Sequence, residues 1–387
     1  MPIELVQQAL DPDPAIAGPA TRALFRDVIE PLSDSFELGD VDRYVRLFAP
    51  VIARLAPELD SSELIARYER VRRRGPYTGD ASRVSNVFVL SRVTLGADVA
   101  VTSRVLDAAK RRFPASRIFL LGPRKCWELF AADGRIEHVD AGYPRGGTLV
   151  ERLALRRELG ATLGRPGSIV IDPDSRLTQL GLVPVCPEEN YFFFESRSWG
   201  GAGAESLSAL TRRWLEETFG VADARGYVAP EPCAEAPAIT VSLGVGENPR
   251  KLVADPFEGE LLRHLVRLER PILIDRGAGG EEAERVERAI NRAGAPPGRI
   301  ATWDGAFAPF AARVARSRLY VGYDSAGQHV AAACGVPLVT VFAGFTSERM
   351  YHRWRPEGPG PIEVVRVDGP DPAAVLEKTI AAITELA

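Results

Sequence analysis

The spacing of hydrophobic positions changes near residue 80. Before it, Val41, Tyr44, Val45, Phe48, Val51, Ile52 and Leu55 recur at helical intervals and form one apolar stripe. Asp60 with Glu63 reads as a capping pair opening a second helix through Leu64, Ile65, Tyr68 and Val71. Arg70, Arg72, Arg73 and Arg74 then lead into Gly75-Pro76, a natural stop. The arginine run reads as a solvated helix end in preference to an anionic-lipid contact. Residues 1–80 are therefore expected as a helical N-terminal extension. Apolar stripes of this kind need a partner, which predicts packing on the sheet that follows.

From residue 84, short apolar runs alternate with helical patterns. Strands are predicted at 84–90, 117–121, 136–139, 168–171 and 191–194, with helices at 99–113, 149–159 and 207–218. A proline-rich stretch from Ala229 to near Pro237 reads as a linker. A second series follows, with strands at 238–243, 272–275, 299–302, 319–322, 337–342 and 362–367. Its helices are predicted at 257–267, 281–292, 308–315, 328–334 and 371–386. Such alternation with short loops predicts parallel sheets wrapped by helices, that is, two Rossmann-like halves. The expected divisions are 1–80, 81–233, 234–370 and a last helix, 371–387, that is a candidate to cross back to the first half.

Composition narrows the classes. With 45% hydrophobic and 26% charged residues the chain is of globular type, and its net charge of −4 gives no footprint for nucleic acid. Uninterrupted apolar runs fall short of the roughly twenty residues that a membrane span needs. Met1-Pro2-Ile3-Glu4 lacks the pattern of a signal peptide, and the four cysteines lack metal-site spacing. A cytoplasmic protein without structural zinc or disulfides is the expectation.

Candidate chemistry concentrates in residues 317–349. A strand at 319–322 is followed by the polar turn Asp324 to Gly327, a small-residue helix, the stop at Gly335 and another strand. Free N–H groups and the positive end of the helix dipole suit the helix start to a diphosphate. Asp324-Ser325-Ala326-Gly327-Gln328-His329-Val330-Ala331-Ala332-Ala333 with Gly335-Val336-Pro337 resembles the Asp-(Ser/Thr)-Gly-Pro-x-His-Leu-Ala-Ala-Ala-x-Gly-Val-Pro signature of glycosyltransferase family 9, the heptosyltransferase-like enzymes of bacterial surface-polysaccharide synthesis. Ala326 replaces the usual glycine and Gly327 the usual proline. The resemblance implies GT-B architecture: two Rossmann-like domains facing a cleft.

Other positions follow from the same resemblance. Arg92 to Val99, after the first strand, resembles the family's first loop; there Asp98 would be the general base and Arg92 an acceptor-side contact. The residues alone leave open that Asp98 merely caps the next helix. In the loop 242–251, Gly244 gives a ligand access to the backbone and Lys251 offers a mobile charge to phosphate. The resemblance makes Lys251 the donor-phosphate contact, with Arg250 competing. The glycine-rich turn after 272–275 places Glu282, or Glu281 beside it, near the donor nucleoside. Asp324, Ser325, Ala326, Gly327 and His329 complete the expected donor set. Asp172-Pro173-Asp174 resembles the metal motif of another glycosyltransferase fold but reads as a loop; Arg176 beside it is the second acceptor candidate. Tyr191 to Phe194 reads as core.

The resemblance implies an inverting, metal-independent glycosyltransferase. Its donor is a nucleotide-diphospho-sugar, with no other cofactor, and its acceptor is a glycan, lipid-linked or protein hydroxyl. No nucleic acid or transmembrane segment is expected; a peripheral membrane contact stays open. The alternatives are a sugar-nucleotide epimerase of the same architecture and a sugar-nucleotide-binding scaffold without turnover.

Overall fold

The computed structural model describes residues 3–246, 248–277 and 279–386, so Glu247 and Ala278 of the two glycine-bearing loops lie outside the described residues. The chain forms two compact units. One comprises residues 1–94, 101–127 and 134–225, and the other 95–100, 128–133 and 226–387.

The first unit holds β1 (Asn86–Leu90), β2 (Arg117–Gly122), β3 (Ile136–Asp140), β4 (Ser168–Asp172) and β5 (Tyr191–Phe193), all parallel, in the order β3-β2-β1-β4-β5. β1 and β4 are buried along nearly their whole length, which explains why they read as unbroken apolar runs. The N-terminal helices, chiefly Leu38–Leu55 and Ser61–Arg72, share one core with this sheet: Tyr44, Phe48, Ile52 and Tyr68 cluster with Phe88, Val170, Tyr191 and Phe193. Asp60 caps the helix Ser61–Arg72 by accepting from the Glu63 amide at 2.9 Å. The arginines at its end are taken up by protein. Arg70 pairs with Glu63 and Glu188, Arg72 with Asp42 and Glu69, and Arg74 donates to the Tyr191 carbonyl while lying 4.0 Å over the Phe192 ring. Tyr191, Phe192, Phe193 and Phe194 are buried, so the aromatic run is core.

A buried polar network ties helices to sheet. The Arg197 side chain, 2% exposed, donates to Asp174 at 3.1 Å, to the Tyr68 hydroxyl at 3.0 Å and to the Leu180 carbonyl at 3.3 Å, beside the Tyr44 ring. Tyr44 donates to the Gln179 carbonyl at 2.6 Å, and Arg67 to that of Gly181 at 3.0 Å. The extension therefore grips the turn after β4 by hydrogen bonds that a simple apolar contact would not supply.

The second unit holds β6 (Ile239–Ser242), β7 (Ile272–Asp275), β8 (Ile300–Trp303), β9 (Leu319–Tyr323), β10 (Leu338–Phe342) and β11 (Ile362–Arg366), again parallel, in the order β11-β10-β9-β6-β7-β8. The final helix Pro372–Leu386 does not cross back. Val375 and Ile383 join the core of this unit with Leu261 and Val341, because its apolar face fits beside the helix Phe257–Arg267. The proline-rich stretch is pinned at one end: the Ala229 amide donates to the Leu129 carbonyl at 2.7 Å, and Ala132 donates to the Ala229 carbonyl at 2.8 Å. Residues 128–133 thereby join the second unit. Among the described residues no helix is long and apolar enough to cross a membrane.

Removing one partner of a buried ion pair strands the other charge. Arg197→Ala is expected to lower unfolding free energy by about 3–5 kcal/mol, measured by urea titration of the full chain.

Candidate active site

In each sheet the first strand and the strand that reverses the order stand side by side, and open α/β sheets bind ligands at the carboxyl ends beside such a switch. The switch lies between β1 and β4 in the first unit and between β6 and β9 in the second.

At the second switch, Ser242 ends β6 and Tyr323 ends β9. Lys251 reaches over from the loop after β6. Its ammonium donates to Asp324 Oδ2 at 2.7 Å and to the Asp324 carbonyl at 2.9 Å. Asp324 is buried, and its other carboxylate oxygen accepts from Gln328 Nε2. Gln328 Oε1 in turn accepts from Thr340 at 2.7 Å, and Gln328 Nε2 lies 3.3 Å from His329 Nε2. Asp324 thus joins the loop after β6, the helix Ala326–Ala333 and β10. Sequence reasoning assigned no role to Gln328. Its place at the fifth position of the signature, where any residue is allowed, gave no signal.

Gly327 has a steric reason. Gly327 lies against the buried Tyr320, and a Cβ there would stand 2.3 Å from the phenol oxygen. A proline at 327 would meet the same obstruction. Tyr320 therefore accounts for the chain's departure from the family pattern at position 327.

Glu282 accepts from the Val245 amide at 2.8 Å. Cβ positions at Gly244 and Gly277 would stand 3.1 Å from Glu282 Oε1 and 2.2 Å from Oε2, with Gly277 at φ +73°. These glycines make room for the Glu282 carboxylate, whereas the sequence reading gave Gly244 to the ligand. Arg285 backs this arrangement, donating to the Leu243 carbonyl at 2.7 Å and pairing with Glu258. Burial raises the pKa of Glu258, and that of Asp275 at the end of β7. Arg250 is exposed at the loop edge, so Lys251 alone of the two reaches Asp324.

Asp98 lies where the sequence reading did not put it. The helical turn begins at Leu95, so Asp98 sits one turn inside, in the wide stretch Asp98–Thr102 that precedes the helix Ser103–Arg112. It is fully buried and cannot be the residue that precedes and caps a helix. Residues 95–100 belong to the second unit, where a Cβ at Gly96 would stand 3.3 Å from Ala326 Cα and 3.2 Å from His329 Cδ2. Glycine at 96 permits this approach and brings the turn carrying Asp98 to the helix start of the signature.

In the first unit Arg92 donates to the Pro173 carbonyl at 2.6 Å and to Ser196 at 2.8 Å, bridging the loops after β1 and β4. Val93 and Asp174 in those loops both take positive φ, 59° and 71°. The carboxylates of Asp172-Pro173-Asp174 have separate partners. Asp172 accepts from Thr178 and Tyr191 at 2.5 Å each and from the Ser175 amide at 2.6 Å; burial still pushes its pKa up to about 6. Asp174 accepts from Arg197 and Ser196. Arg176 donates to Ser33 at 2.9 Å on the N-terminal extension. Among the described residues no three His, Cys, Asp or Glu side chains gather as cation ligands.

Gly277→Ala adds a steric conflict with Glu282 to the strain of positive φ, whereas Gly298 has positive φ and open space around it. Gly298→Ala is expected to cost about 1 kcal/mol and Gly277→Ala at least about 1 kcal/mol more, compared by chemical denaturation.

Residues 278–358 match the model of glycosyltransferase family 9 (heptosyltransferase). Among solved structures, a family 9 glycosyltransferase from Veillonella parvula is 18% identical, with 73% of this chain and 86% of that chain covered and a TM-score of 0.52. Escherichia coli heptosyltransferase WaaC, solved with ADP-2-deoxy-2-fluoro heptose, is 16% identical, with 78% and 99% covered and a TM-score of 0.57. Its structure with ADP gives the same TM-score of 0.57. At these identities the likeness is one of fold. No curated protein matches the sequence. The chain thus carries a segment similar to glycosyltransferase family 9 (heptosyltransferase) at its second switch point, within an α/β fold similar to that of the GT-B heptosyltransferases.

Proposed function

We propose that this glycosyltransferase moves a sugar from a nucleotide-diphospho-sugar to an acceptor hydroxyl, with inversion and without a metal ion. The observation that carries the reading is the meeting of Lys251 with the family signature at Asp324, beside the first amides of the helix Ala326–Ala333. An ammonium has three N–H donors and Asp324 takes two, which leaves one for a phosphate oxygen. The helix start supplies further N–H groups and a favourable dipole. These groups stabilise charge as the diphosphate departs, the role a metal ion plays elsewhere. WaaC was solved with ADP and an ADP-sugar, which makes ADP the first nucleotide to try here.

Asp98 is the base in this scheme. The acceptor oxygen attacks the anomeric carbon, the bond from that carbon to the diphosphate oxygen breaks, and the acceptor proton passes to the Asp98 carboxylate. Support comes from Gly96, which seats the Asp98 turn against Ala326 and His329. Arg92 and Arg176, in the loops at the first sheet's switch, are the acceptor contacts in this scheme. Glu282 acts by fixing the Val245 amide beneath the nucleoside. The acceptor is a glycan, lipid-linked or protein hydroxyl, and the setting is cytoplasmic synthesis of surface polysaccharide or glycoconjugate.

Asp98→Asn is expected to lower turnover at least about a hundredfold, with donor affinity and melting temperature little changed. The assay follows release of nucleoside diphosphate from a panel of ADP-, GDP-, UDP- and dTDP-sugars. Near wild-type release by the variant would remove Asp98 as base. An epimerised donor would replace transfer by epimerisation, and binding without turnover by the wild type would indicate a scaffold.

A further inference from the structure

Ser325 occupies the N-cap position of the helix Ala326–Ala333 yet does not cap it. Elsewhere Asp60, Thr148, Ser206 and Ser347 each accept from a first-turn amide of their own helix. Ser325 has extended backbone, and its hydroxyl shares a 3.3 Å hydrogen bond with the Tyr320 phenol. Tyr320 is fully buried on β9, and its hydroxyl also bonds the Ser242 side chain at the end of β6. Gly327 is pressed against the same phenol, so the ring has no room to swing away. A capping hydroxyl and a phosphate oxygen compete for the same amides at a helix start. Whatever holds the Ser325 hydroxyl aside therefore decides which of the two takes them.

We propose that Tyr320 is a positioning residue of the donor site: it draws the Ser325 hydroxyl away from its own helix and keeps the first-turn N–H groups for the donor diphosphate. The proposal rests on reading this helix start as the diphosphate site. Tyr320 touches no substrate; it acts through Ser325. It is also the residue whose bulk requires glycine at 327, so the chain's departure at that position and the uncapped helix share one origin.

A double-mutant cycle on the full chain tests this. Calorimetry with ADP, GDP, UDP and dTDP identifies the tightest of the four for the wild type, and that nucleotide is the probe. Tyr320→Phe frees Ser325 to cap, and is expected to raise the probe's Kd about fivefold, the scale on which N-caps act. The donor KM rises likewise while kcat holds, and the melting temperature changes little. In the Ser325→Ala background there is no hydroxyl to redirect, so Tyr320→Phe is expected to change Kd by less than about twofold. Equal weakening in both backgrounds would assign Tyr320 to packing and overturn the proposal, as would an unchanged Kd in Tyr320→Phe alone. If the wild type binds none of the four nucleotides, the donor reading itself fails, and the proposal with it.

Discussion

Asp324 is a carboxylate with almost no access to water, and an ionised group in that position is costly unless paired and hydrogen-bonded. Lys251 and Gln328 meet that need. Each comes from a different element, so satisfying one buried charge fixes the loop after β6, the helix Ala326–Ala333 and, through Thr340, β10. Lys251 is thereby held at the switch point before any ligand arrives. A long flexible side chain immobilised in advance loses less freedom on binding, which is how a structural ion pair becomes part of a phosphate site.

The same logic recurs in the first unit. Arg197 is buried among Asp174, Glu195, Tyr68 and Tyr44, and its bonds reach the turn after β4 and the N-terminal helices alike. The extension thus supports the loops at the carboxyl end of the first sheet, where Arg92 joins Pro173 to Ser196. Val93 and Asp174 hold positive φ in these loops, a conformation that survives only when the surroundings enforce it. In the second unit Glu282 performs the corresponding task with one carboxylate between two glycines.

Much of the second unit was legible. The run from strand to polar turn, small-residue helix and Gly335 marks β9, the helix Ala326–Ala333 and β10, because local propensity and burial agree there. The site was legible only as far as residue types reach. Lys251 and Asp324 could be picked out, but not their bond, since nothing in the spacing of positions 251 and 324 encodes it. Tyr320 gave no signal, because on a strand buried on both faces an aromatic residue reads as core. Residues 95–100 went to the wrong half because a chain's order says where a turn is made, not which core covers it. The last helix showed the same limit: its apolar face was evident, its partner was not.

Hydrogen exchange tests most directly whether the helix start beside Asp324 receives the donor diphosphate. Backbone amides of Ala326, Gly327 and Gln328 would be followed in the full chain with and without ADP, GDP, UDP or dTDP at saturation. The account predicts that a bound nucleotide slows exchange at these amides and in the loop carrying Lys251. Saturating binding that leaves both segments unchanged, or no binding by any of the four, would contradict it.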